Sequence, residues 1–143
     1  MREVDKIVQV RQNGTWHHVK MQSSLFEGRS YTQDILMYLA QKIGWSITGW
    51  GDIWKKDIAP ELHNWYQSMQ DCDILVYCVP LSRLIEFDYN TALPCEGFKW
   101  DRETEKEYET YNDVFLETNF FQDLDILKKL GNPDDVCVLF YRD

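Results

Sequence analysis

Hydrophobic and polar positions alternate at the start of the chain, and the pattern changes period as it proceeds. In "VDKIVQVRQNGTWHHVKM" two alternating runs flank Asn13-Gly14, the pairing that favours a two-residue type I′ turn. That turn sets Val8 opposite Val19 and Val10 opposite His17, with Met21 on the same side. Ile7, Trp16 and His18 take the other side. From Ser30 the period lengthens. Ile35, Leu36, Leu39, Ala40 and Ile43 form a helical stripe, Ser30 and Gln33 have capping-box spacing, and Gly44 supplies a stop.

A loop carrying Trp50 and Trp54 follows, and Pro60 opens a second helix with Leu62, Trp65, Tyr66 and Met69 on one side. "ILVYCV" at 74–79 is apolar at both parities and predicts a strand buried on both faces; Pro80 then begins the short helix "LSRLIEF". Residues 88–104 suggest an irregular connection. Leu116, Phe120, Leu124, Leu127 and Leu130 imply one helix, closed by Gly131-Asn132-Pro133, and "DVCVLFYR" gives a central final strand. Together these elements predict one α+β domain over 1–143. It would have about four strands in a mainly antiparallel sheet, an N-terminal hairpin and about three packed helices. Strand order is left open.

Composition agrees with a folded body: 143 residues, 44% hydrophobic and 15% aromatic. Charge adds more. The formal net charge is −9, and segment 101–125 carries nine carboxylates against Arg102 and Lys106. Such a balance argues against direct binding of nucleic acid or an anionic membrane, both of which require cations. No apolar run approaches the roughly 18 residues of a membrane span, and no secretory signal pattern is evident, which predicts a cytoplasmic protein with reduced cysteines. Cys78 and Cys137 lie in apolar runs, where free cysteine behaves as a small hydrophobe.

Motifs for catalysis or metal binding are lacking. His17 and His18 point to opposite faces of a strand, so His17 is expected as a core-facing histidine, and Cys72 and Cys78 lack zinc-site spacing. Cys95 stands beside Glu96, which would raise its pKa and weaken any thiolate. Glu86 and Asp88 fit a helix rim followed by a cap, and Gly49 and Gly51 lack the remainder of a phosphate-binding fingerprint. Neither a cofactor nor a metal is expected.

Two surfaces remain as candidates. Glu103, Glu105, Glu107 and Glu109 alternate with other residues, an arrangement that puts all four on one side of an extended strand. Such a row would guard a sheet edge. It would equally imitate a nucleic-acid backbone and dock on a basic protein, with Tyr108 and Tyr111 as aromatic anchors. The alternative is a nucleotide pocket, and with it an oligomer, in which Arg29 and Tyr31 at a helix start meet Trp50 and Trp54. In the structural version of that cluster, Arg29 ties the helix to the sheet and the tryptophans are core lids.

"GTW" at 14–16, "EGRSYTQDILMYLA" at 27–40, "PLSRLIEFDYN" at 80–90 and "NPDDVCVLFYRD" at 132–143 resemble a family of small proteins encoded by bacteriophages and their hosts. Members show a Gly-x-Trp hairpin, a G-R-x-Y helix start, an L-x-x-L-[LI]-x-F-D-[WY] element and a terminal D-V-x-V-x-[FY] strand. The chain departs from that pattern at "LAQKIGW" and "ILVYC". No site residues are assigned for the family, so the resemblance implies only a phage-type accessory protein, a class that often opposes host defence. The leading expectation is a non-enzymatic binder of a basic host protein. The alternative is a sponge for a nucleotide signal, and third comes an enzyme that processes small nucleotides.

Overall fold

The computed structural model describes residues 3–47 and 56–142. Strands β1 (Asp5–Gln12) and β2 (Thr15–Val19) form the expected hairpin. Val8 pairs with Val19 and Val10 with His17, and Asn13 and Gly14 take the positive φ values, 52° and 79°, that a type I′ turn demands. Helix α1 (Ser30–Ile43) follows, then the short strand β3 (Trp45–Ser46). Helix α2 (His63–Asp71) precedes β4 (Val76–Pro80), which runs directly into α3 (Leu81–Glu86). Helix α4 (Glu96–Lys99), the two-residue strands β5 (Trp100–Asp101) and β6 (Lys106–Glu107), helices α5 (Tyr111–Phe115) and α6 (Phe120–Lys128), and strand β7 (Val136–Tyr141) complete the order.

The architecture is α+β. The main sheet runs β2-β1-β7-β4-β3, antiparallel throughout, and β5-β6 makes a small second sheet. β7 is central, as its apolar parities predict. Val136, Val138 and Phe140 join one core, and Cys137 and Leu139 the other. The larger core lies under α1, α3, α5 and α6; the smaller is closed by Ile47, Ile58, Ala59, Leu62 and Tyr66. Gln9, fully buried in the sheet, clamps that second cover. Its amide donates to the Asp57 carbonyl at 2.8 Å and accepts from the Ala59 N–H at 2.9 Å.

Several expectations are corrected. Gln33 does not cap α1. Arg29 holds the N-cap position, and the buried Gln33 amide accepts from the Val4 N–H at 3.1 Å and Lys6 Nζ at 2.9 Å while donating to the Phe26 carbonyl. Burial makes those bonds worth more than an exposed cap. Gly44 ends the helix by close approach and not by a left-handed turn. Its φ is −107°, and a Cβ there would sit 2.5 Å from the Cys78 carbonyl oxygen. The single helix expected through Leu116 is two, because Thr110 and Asp113 form a complete capping box that starts α5, and the chain turns over 116–119 before α6. Leu116 is therefore 64% exposed instead of core. His17 is likewise at the surface, 3.5 Å from Glu61. The 88–104 connection contains α4 and β5. Cys78 and Cys137 sit on neighbouring strands with Cα atoms 6.5 Å apart and their sulfurs facing each other, while Cys72 and Cys95 are free and exposed.

Among the described residues no helix is long and apolar enough to cross a membrane, and no group of three His, Cys, Asp or Glu is placed to hold a metal.

Candidate functional site

The acidic segment is a hairpin rather than a straight strand. Trp100 pairs with Glu107 and Asp101 with Lys106, and residues 102–105 reverse the chain with Glu105 at φ 54°. Because the chain reverses over 102–105, the alternating glutamates do not form one row. Glu103 and Glu105 occupy the turn, Glu107 shares a side with Trp100, and Glu109 leads into α5. All four are exposed.

Asp101 anchors the hairpin. It is 2% exposed and accepts from the Glu103 N–H at 3.0 Å, Thr104 Oγ1 at 2.8 Å and Arg29 Nη1 at 2.6 Å. Burial opposes its ionised form, but bonds from Thr104, Arg29 and the Glu103 N–H outweigh that and hold its carboxyl below the usual range. The same contact, led by the Asp101 hydrogen bond, raises the Arg29 pKa.

The aromatic residues expected to anchor a partner are turned inward. Tyr108 is 5% exposed, stacks on Tyr31 with ring centroids 5.4 Å apart, and donates its hydroxyl to Glu117. Tyr111 is 1% exposed and meets Phe87 edge-on at 5.2 Å. Burial pushes Tyr111 up to about 12. Their apolar area is spent on the core, which is the correction their burial imposes.

The outer surface is built from different residues. Glu105 and Glu107 have no ion pair among the described residues. Glu103 lies 3.5 Å from Arg29, and Glu109 lies 3.2 Å from Lys99, which also reaches Glu96. Trp100 is 48% exposed beside these glutamates, and Leu116 faces water across a cleft of about 930 Å³. Glu3, Glu27, Lys106 and Glu117 contribute to that cleft. Lys106 sits 2.8 Å from Glu117, whose carboxyl is held low first by Lys106 and then by Tyr108. Sequence reasoning missed Trp100 and Leu116. Trp100 adjoins the acidic run and could have been noticed; Leu116 matched the helical stripe and gave no such signal.

Of the nucleotide pocket drawn from the sequence, only Arg29 and Tyr31 are among the described residues, and both are engaged within the fold. Arg29 is engaged by Asp101 and Glu103, and Tyr31 donates to the Phe98 carbonyl. Trp50 and Trp54 lie outside the described residues. Arg29 thus ties α1 to the hairpin. Comparison with protein-family models, curated proteins and solved structures finds no match to this chain.

Proposed function

We propose that this chain is a non-enzymatic, phage-type accessory protein whose acidic hairpin docks on a basic protein in the host cytoplasm, a nucleic-acid-handling component of host defence. The observation that carries the reading is the exposure of Glu103, Glu105, Glu107 and Glu109 on one short hairpin, with exposed Trp100 beside Glu107. Carboxylates supply long-range attraction, and interfaces commonly pair such a polar rim with a desolvated apolar centre. Here the apolar contact comes from Trp100, since Tyr108 and Tyr111 are internal and Leu116 lies on the other side of the hairpin, with Lys106 and Glu117.

Attraction of this type is screened by salt over a Debye length of about 8 Å at physiological ionic strength. Pull-down from a bacterial lysate, with wild type and a Glu103→Lys, Glu105→Lys, Glu107→Lys, Glu109→Lys variant side by side, tests the reading. Basic nucleic-acid-binding proteins should be retained by wild type, lost at high salt and lost by the variant. Retention indifferent to both changes would refute it.

A further inference from the structure

The second face of the main sheet carries a different constellation. All five of its strands line a cavity of about 310 Å³: Trp16 from β2, Arg11 from β1, Cys137 from β7, Cys78 and Pro80 from β4, and Trp45 from β3. Ser82 and Arg83, from α3, with Asp57 and Asp134, complete it. The Arg11 guanidinium lies over the Trp16 ring at 5.0 Å, and that of Arg83 over Trp45 at 5.1 Å.

The two arginines differ. Arg11 is tied to Asp135 at 2.9 Å and to the Asp134 carbonyl at 3.1 Å, and so braces the wall. Arg83 donates to the Ile43 carbonyl at 2.8 Å and has no carboxylate partner among the described residues. Most of its donor fork, and its full charge, are left for something else. Trp45 is 42% exposed at a sheet edge, a costly place for a large ring, with the Arg83 guanidinium over part of it.

We propose that this cavity binds a nucleoside monophosphate, with Arg83 on the phosphate and the Trp45 indole against the base. Guanidinium groups match phosphate oxygens with paired N–H donors, and an indole offers a flat apolar face to any base. The volume lies at the small end of ligand pockets, about 300–1,000 Å³, which suits one nucleotide and no longer strand. The site is separate from the acidic hairpin and from the Arg29–Tyr31 cluster, and does not depend on the reading given above.

Isothermal titration calorimetry of the whole chain tests it with AMP, GMP, CMP and UMP, and with adenosine and inorganic phosphate as partial ligands. At least one monophosphate should bind saturably at one per chain, at least about tenfold tighter than adenosine or phosphate alone. Arg83→Gln and Trp45→Phe should each weaken it, the arginine change by about tenfold or more, because a charge-assisted phosphate contact is lost. Arg83 is exposed and its loss removes one bond to the Ile43 carbonyl, so Arg83→Gln should melt within about 4 °C of wild type, which separates lost binding from lost folding. The fourfold Glu→Lys variant should bind the nucleotide no less tightly, which distinguishes failure of this site from failure of the docking surface. Absence of any titration up to about 1 mM nucleotide, equal binding of adenosine and AMP, or an unchanged affinity in Arg83→Gln would each overturn the proposal.

Discussion

Asp101 shows what a single side chain contributes here. Removing its charge leaves Arg29 facing a neutral amide in a nearly closed site, and Asp101→Asn should destabilise the protein by about 2 kcal/mol, the usual loss for a hydrogen bond to a charged partner. Urea unfolding at pH 7 measures this. The depressed carboxyl also fixes an acid response. Its stabilisation is complete above the unfolded value of about 3.9 and is lost as pH falls through the lower folded value. Wild type should therefore lose stability below about pH 4, and the slope should be shallower in Asp101→Asn. Tyr108→Phe, which deletes the hydroxyl held by Glu117, should cost about 1 kcal/mol in the same assay.

Among the elements, those with local signals were legible. The β1–β2 hairpin follows from Asn13-Gly14, α1 from its stripe, and the centrality of β7 from its two apolar parities. The errors came where one local pattern served two structures. Leu116 fits a helical repeat, but the capping box at Thr110 and Asp113 starts a separate helix and leaves Leu116 outside. Alternation at 103–109 resembles a strand, but buried Asp101 gathers the Glu103 N–H and Thr104 hydroxyl and bends the chain. Tyr108 and Tyr111 read as anchors because burial depends on contacts distant in sequence. Gly44 gives an element-scale test. Alanine there would force its Cβ against the Cys78 backbone and should cost about 1–3 kcal/mol, as overpacking usually does. Leu116→Ser, by contrast, should change stability by no more than about 0.5 kcal/mol, whereas Trp100→Ser should weaken capture of a basic partner in the pull-down.

For the whole molecule, the sheet separates two surfaces of opposite character. The acidic hairpin sits with α1 and α5, on the side of the larger core; the arginine–tryptophan cavity lies on the face lined by Cys78 and Cys137. Negative potential at the first should show as an association rate with basic partners that falls steeply with ionic strength, while dissociation changes less. Stopped-flow mixing across a salt series checks this. The Arg29–Asp101 bond carries a final consequence. Through it the base of the acidic loop is moored to a long helix, and through Gln33 and Lys6 that helix is moored to the first strand. The loop's backbone freedom is surrendered when the chain folds, so a partner of the kind proposed would leave little main-chain ordering to be done at the encounter.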